Sequence, residues 1–145
     1  MKTLISWKQL DSYVDELCEQ ITNYCKMHNM HLSDLNGVYG IPRGGLILAV
    51  LISHKLNLPY VDRLQTLYGK RFLVVDDIAD SGETLNQMKA EVFEHALFAT
   101  IHYNPNSIIE PQFWVKEKIT DWIVYPWEQV DAKPIQDYKL EQKGS

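Results

Sequence analysis

The sequence predicts a single-domain α/β fold, in which helices flank a mostly parallel sheet. The hydrophobic pattern alternates along the chain between the spacing of helices and that of strands. The apolar run at 72–75 is typical of a strand buried at the centre of a parallel sheet. Two polar loops, 42–45 and 80–84, each follow a predicted strand and precede a predicted helix, as βα turns do. The 145 residues lie within the roughly 100–200 expected of one domain.

The elements follow in order from the N-terminus. Ser6 and Gln9 form a capping-box pattern, and apolar residues at three- and four-residue steps then predict a helix ending near Lys26. The sequence next predicts strands at 38–41, 60–64, 72–75, 97–103 and 121–125, and helices at 46–56 and 84–95. The helix at 46–56 is apolar enough to be buried on most sides.

Composition limits the partners and the compartment. The net charge of −5 argues against nucleic acid or an anionic membrane as a partner. No apolar run reaches the ~18 residues of a membrane-spanning helix. Cys18 and Cys25 lie two turns apart on one face of the first helix, too far for an easy disulfide. Buried thiols in a reducing cytosol are therefore expected, and with them a cytoplasmic location.

Residues 72–84 carry the strongest functional signal. The apolar strand ends at Asp76 and Asp77, and Asp80 opens a short loop that contains Ser81 and Gly82. Ligands of parallel sheets bind beyond the carboxyl ends of the strands, and such loops before a helix offer N–H groups to phosphate. Two acids at a strand end are by themselves more often solvated or capping residues. Together with the loop, they favour a sugar-phosphate site.

Three segments carry a family resemblance. Residues 74–84, VVDDIADSGET, resemble the signature with which type I phosphoribosyltransferases bind phosphoribosyl pyrophosphate (PRPP). Residues 40–46, GIPRGGL, resemble their pyrophosphate loop, and 121–128, DWIVYPWE, are similar to the base-binding hood of bacterial xanthine-guanine enzymes. The resemblance covers most of 4–130. It implies the type I phosphoribosyltransferase fold over 1–140 with a small C-terminal hood at about 104–130, while 141–145 are expected to form a flexible tail.

The resemblance also implies roles for individual residues. Asp80 would be the general base, while Asp76 and Asp77 would bind the ribose hydroxyls and Asp77 would contact Mg²⁺. The groups expected to bind the PRPP 5-phosphate are Asp80, Ser81, Gly82, Glu83 and Thr84. Those expected to bind pyrophosphate are Pro42, Arg43 and Gly44, with a cis peptide bond between Pro42 and Arg43. Trp122, Ile123 and Asn104 would bind the base. Family members commonly self-associate, so a homodimer or homotetramer is expected.

Three features depart from the family pattern. The mobile loop that closes over PRPP is reduced to residues 65–71. Either Tyr68, Lys70 and Arg71 perform a reduced version of its task, another subunit covers the site, or turnover is poor. Asn104 occupies the position of a lysine that reads the six-position oxygen of the purine. Glu83 adds a negative charge where the family usually has a small residue.

Three functions are compatible with these residues. The first is an Mg²⁺-dependent phosphoribosyltransferase that transfers ribose 5-phosphate from PRPP to a 6-oxopurine such as guanine, xanthine or hypoxanthine. The second is a non-catalytic PRPP- or nucleotide-binding regulatory module that has lost the closing lid. The third is a receiver-like domain, which also places acids at strand ends but has no use for a phosphate-binding loop directly after them.

Overall fold

A computed structural model describes residues 2–92, 95–118 and 121–128. The strands are β1 (Lys2–Leu4), β2 (Val38–Gly40), β3 (Tyr60–Val61), β4 (Phe72–Ala79), β5 (Ala96–Tyr103), β6 (Lys116–Glu117) and β7 (Trp122–Val124). The α-helices are α1 (Trp7–Met27), α2 (Gly44–Leu56) and α3 (Glu83–Val92), and two short 3-10 helices lie at Leu32–Asp34 and Leu64–Leu67. No helix of these ranges is both long and apolar enough to cross a membrane.

The main sheet has five parallel strands in the order β3-β2-β4-β5-β6. The central strand β4 alternates its side chains between two hydrophobic layers. Leu73 and Val75 face the layer that contains α1 and α2, and Phe72 and Val74 face the other. All four side chains are fully buried, as expected of a strand covered on both faces. The predicted α/β fold with a mostly parallel sheet is confirmed.

Helix α1 matches its sequence signal closely. The Ser6 side chain accepts from the Gln9 amide at 3.1 Å, and the Gln9 side chain accepts from the Ser6 amide at 3.0 Å, which completes the capping box. Cys18 and Cys25 are both buried and free, as predicted.

Strand β4 is longer than predicted, and β3 is shorter. Asp76 and Asp77 lie inside β4 rather than beyond it, because pairing with β5 continues to Ala79. The main-chain ladder thus outweighs the low strand propensity of Asp. Strand β3 ends at Val61, and Leu64 begins a 3-10 helix instead, since burial of its side chain and that of Leu67 in the core fixes that turn.

The helices after the two site loops also differ in detail. Helix α2 begins at Gly44, two residues earlier than predicted, and its Val50 is 41% exposed, so the helix is less enclosed than expected. Helix α3 is described to Val92, and residues 93–94 of the predicted helix lie outside the described residues. The strands β1 and β6, of three and two residues, were not predicted, because such short segments carry no readable alternation.

The hood strand β7 does not join the main sheet. It pairs in parallel with β1, with Lys2 opposite Trp122 and Leu4 opposite Val124. The amide of Ile5 continues this pairing by donating to the Val124 carbonyl at 2.9 Å. The N-terminus of the chain therefore anchors the hood.

Candidate active site

The loop between β2 and α2 packs directly against the acidic part of β4. A Cβ atom added to Gly44 would collide with the carboxylate of Asp77, and one added to Gly45 would collide with the Val75 carbonyl. The Ile41 amide donates to the same Val75 carbonyl at 2.9 Å. Glycine is thus required at Gly45, where the contact is to the main chain, and a side chain at Gly44 would displace the Asp77 carboxylate. The two loops that the sequence singled out meet at one edge of the sheet.

Pro42 and Arg43 form the turn of this first loop. The peptide bond between them is cis, which confirms the expectation from the resemblance. Arg43 occupies the N-cap position of α2 and is exposed. Arg43 therefore directly precedes the glycine that packs against the Asp77 carboxylate.

Asp76 and Asp77 lie side by side at the mouth of this cleft. Desolvation raises the pKa of Asp76 well above its ordinary value, and the neighbouring Asp77 charge raises it further. Desolvation also raises the pKa of Asp77, to about 6, with a further contribution from the Glu128 charge. Both side chains remain partly exposed at the cleft. Two crowded, poorly solvated carboxylates are well suited to bind cationic or hydroxyl groups.

The loop that follows β4 turns sharply into α3. Gly82 has a φ of +84°, and an added Cβ would collide with the Ser107 side chain. The Ser81 hydroxyl accepts from the Glu83 amide at 3.3 Å, and the Ser81 carbonyl accepts from the Ile108 amide at 2.9 Å. The segment 80–84 thus rests on the segment after β5, and its last two residues form the N-terminus of α3. Glu83 is exposed and Thr84 is half-buried.

Asp80 is held by two donors that come from distant parts of the chain. The Asn104 amide donates to its Oδ1 at 2.8 Å, and the Lys118 ammonium donates to its Oδ2 at 2.7 Å. Burial alone would raise the pKa of Asp80, but the bonds from Asn104 and Lys118, with the charge of Lys118, lower it. Asp80 is therefore ionised at neutral pH, the form required of a proton acceptor.

Lys118 also lies close to Trp122, the residue predicted to stack on the base. Its Nζ atom is 6.0 Å from the ring centroid of Trp122, and only 14% of its side chain is exposed. The Trp122 side chain is 40% exposed, so one part of its surface is open to a ligand. Ile123 is half-buried beside it. Lys118 is a candidate site residue that no pattern in the sequence indicated.

Arg71, in the short segment before β4, is too far from Asp77 to cover the candidate site. Arg71 precedes the first residue of β4, and its guanidinium contacts the Met30 sulfur at 3.1 Å. Asp77 lies six residues further along the strand, roughly 20 Å away at the rise of an extended chain. Arg71 is therefore at the end of β4 opposite to Asp77. The expectation that Arg71 shares the work of a reduced lid is wrong.

The acids of the site supply only part of the ligands that a divalent cation needs. Within 2–92, 95–118 and 121–128, no three His, Cys, Asp or Glu side chains converge to form a complete metal site. Mg²⁺ is often held instead by one or two carboxylates together with substrate phosphates. The partly exposed pair Asp76 and Asp77 matches that partial donor set.

Comparison with known proteins gives the family of the chain. The family described as "Phosphoribosyl transferase domain" matches residues 63–131. A xanthine-guanine phosphoribosyltransferase of Chromohalobacter salexigens is 31% identical in an alignment that covers 86% of this chain and 82% of the relative. The chain therefore belongs to the phosphoribosyltransferase family.

Solved structures show the same fold. A purine phosphoribosyltransferase of Pyrococcus horikoshii superposes with a TM-score of 0.73 at 26% identity, covering 92% of this chain and 98% of its own. A Neisseria gonorrhoeae protein crystallised with bound ppGpp superposes with a TM-score of 0.69 at 21% identity, covering 100% and 98%. The alternative of a receiver-like domain is wrong.

Proposed function

We propose that this protein transfers the ribose 5-phosphate group of PRPP to a 6-oxopurine, giving a nucleoside monophosphate and pyrophosphate. The observation that carries the proposal is the convergence of three separate segments. The Asp77 carboxylate lies against Gly44 of the first loop, and Asp80 of the second loop binds Lys118, which lies beside Trp122 of the hood. A sugar, its phosphates and a flat base need these groups at adjacent positions.

The phosphate groups of PRPP are assigned to the two loops. The loop 80–84 would bind the 5-phosphate through its amides and the hydroxyls of Ser81 and Thr84, aided by the positive end of the α3 dipole. Arg43 and the amide of Gly44 would bind pyrophosphate, since a guanidinium presents a planar pair of donors to phosphate. Mg²⁺, held through Asp77, would neutralise the departing pyrophosphate.

The acids serve the reaction centre. Ribosyl transfer develops positive charge on the ribose ring, and Asp76 and Asp77 in their ionised form would provide negative charge and hydroxyl acceptors next to it. Asp80 would take the proton from the attacking ring nitrogen of the base. Its carboxylate is already ionised because Asn104 and Lys118 stabilise its charge. The proton thus passes to Asp80 as the new glycosidic bond forms and the bond to pyrophosphate breaks.

The choice of base is inferred from Lys118 and Asn104. An ammonium offers three donors and no acceptor, so it favours a base with an exocyclic oxygen over one with an amino group. Asn104 has the position expected of a base-reading lysine, but its amide donates to Asp80. Lys118, which arrives from β6, has both the charge and the position beside Trp122. A 6-oxopurine therefore fits better than adenine.

A regulatory module that binds PRPP or a nucleotide without turnover is the second candidate. The observation in its favour is the short segment between β3 and β4, which Leu64 and Leu67 fix in the core. A segment anchored in this way has little freedom to close over a ligand and exclude water. The Neisseria gonorrhoeae structure shows that a protein of this fold has been crystallised with a nucleotide.

One assay separates the two candidates. The protein is incubated with PRPP, Mg²⁺ and, in turn, hypoxanthine, guanine, xanthine or adenine, and pyrophosphate release is measured. The enzyme proposal expects release with at least one 6-oxopurine and little with adenine, and omission of Mg²⁺ should abolish it. Calorimetric binding of PRPP without release for any base would establish the regulatory module instead. The homodimer or homotetramer and the cytoplasmic location stay predictions.

A further inference from the structure

We propose that Tyr125, oriented by His102, is a positioning residue that fixes the base-stacking Trp122 relative to the acidic strand β4. The inference rests on the proposed function and goes beyond it, because it concerns residues that touch neither PRPP nor the base. Tyr125 directly follows β7, three residues after Trp122. Its hydroxyl ties the hood to the main-chain carbonyl of Asp77, 48 positions away in sequence.

The hydrogen bonds define a single arrangement. The Tyr125 hydroxyl donates to the Asp77 carbonyl at 3.0 Å and lies 2.8 Å from Nδ1 of His102. A carbonyl can only accept, so the single hydroxyl proton is directed at Asp77. Nδ1 of His102 must therefore carry a proton and donate it to the hydroxyl oxygen. His102 lies on β5 opposite Ile78 of β4, so both partners of Tyr125 belong to the main sheet.

Burial makes this arrangement rigid. Tyr125 and His102 are each only 3% exposed. The Tyr125 ring stacks on Trp127 with centroids 5.2 Å apart and planes 7° apart, and it contacts the His102 ring edge-on. Desolvation raises the pKa of Tyr125 well above its ordinary value, so the hydroxyl keeps its proton. Water cannot readily replace either bond in such a place.

The link has a direct consequence for the site. The hood strand β7 otherwise pairs with β1, outside the main sheet. The Tyr125 hydroxyl is thus a specific polar contact from the hood to the residue whose side chain lies against Gly44. A shift of this bond changes the distance between a base stacked on Trp122 and a ribose at Asp77. A displacement of about 1 Å between two bound substrates can strongly lower the rate of their reaction.

The test removes the hydroxyl and keeps the ring. Tyr125→Phe should raise the KM for the base roughly tenfold, because two buried polar groups lose their partner, while the KM for PRPP changes less than about twofold. Two controls should leave the KM for the base unchanged. Tyr24→Phe makes the same chemical change on α1, and Ile52→Val destabilises the buried core.

A double-mutant cycle shows whether Tyr125 acts through Trp122. If it does, Tyr125→Phe should add little to the loss caused by Trp122→Ala, since the stacking ring is then already absent. His102→Asn retains an N–H donor near the Nδ1 position and should preserve base affinity better than His102→Leu. Fully additive losses, or an equal rise in the KM for base and for PRPP, would overturn the proposal.

Hydrogen exchange gives a readout that does not depend on turnover. Tyr125→Phe should speed exchange of the β7 amides and leave those of β2 unchanged. If the wild-type protein shows no turnover, the proposed function fails, but the hood link is still tested by this measurement. Unchanged exchange in β7 would refute the link itself, whatever the activity.

Discussion

Lys118→Met removes the ammonium that lies between Asp80 and Trp122 while keeping most of the apolar stem. The wild-type bond from Nζ to the Asp80 carboxylate is 2.7 Å, and the ring centroid of Trp122 is 6.0 Å away. If Lys118 reads the exocyclic oxygen of the base, this substitution should selectively weaken 6-oxopurines. The substitution should also release Asp80 from its strongest charged neighbour.

The size of the effect follows from the surroundings of the ammonium. A hydrogen bond to a charged group contributes about 1.5–3 kcal/mol, which corresponds to roughly 10- to 150-fold in affinity. Lys118 is well covered, with 14% of its side chain exposed, but 43% of the Asp80 side chain is exposed and solvent screens the pair. We therefore expect the lower end, about a tenfold rise in the KM for hypoxanthine and guanine. Adenine use should be unchanged or improved.

Steady-state pyrophosphate release with each base is the assay, and Lys116→Met is the matched control. Lys116 begins the short strand β6, two residues before Lys118, and it is exposed. Its replacement should leave the KM values within about twofold. A second readout is the pH profile of kcat/KM. Lys118 lowers the pKa of Asp80, so its removal should move the acid limb to higher pH.

Two outcomes would refute this reasoning. One is an equal loss for 6-oxopurines, adenine and PRPP, which would mean that Lys118 only supports the fold of the site. The other is the same loss in Lys116→Met, which would reduce the effect to net charge. Thermal unfolding of both variants shows whether the protein remains folded at the assay temperature.

Three further predictions concern other parts of the site. Asp80→Asn should lower kcat by about 10²–10⁴-fold while PRPP binding, measured by calorimetry, stays within about threefold; equal losses of both would contradict the general-base role. Gly82→Ala should weaken PRPP binding at least about tenfold, because φ is +84° and the new Cβ meets Ser107. Gly69→Ala is its control, with φ of +80° and open space around it, and equal effects of the two would mean that only strain matters. Burial lowers the pKa of His102 to about 4, so the unfolded chain binds more protons between pH 6.5 and 4, and stability falls on acidification. From pH 7 to 5 this contribution is at most about 2 kcal/mol. In denaturant unfolding, the wild type should therefore lose more free energy of unfolding from pH 7 to 5 than His102→Asn does. Equal losses in the two proteins would refute this prediction.

The elements that the sequence predicted best are those with a strong local signal. The capping box of Ser6 and Gln9 fixed the start of α1, and the apolar run at 72–75 marked the central strand. Strand ends were harder to predict, because β4 continues through Asp76 and Asp77 only by pairing with β5. The two short strands β1 and β6 gained their structure from their partners alone.

The sequence by itself determined which loops follow the parallel strands, and the motifs in those loops indicated the family. The loops 42–45 and 80–84 follow neighbouring strands, so their meeting at one edge of the sheet was already required by parallel pairing. Their glycines, acids and hydroxyls are close together in sequence and can therefore be recognised without the structure.

Only the tertiary structure decided how the base side of the site is built. Lys118 reaches Asp80 across 38 positions of sequence, and Tyr125 reaches the Asp77 carbonyl across 48. Lys118 belongs to no motif, and Tyr125 belongs to the hood motif 121–128, but the sequence does not give the partner of either residue. Each contact depends on how β6 and the hood pack against the sheet. Long-range packing leaves no local pattern in the sequence, whereas the strands and βα turns of a parallel sheet do.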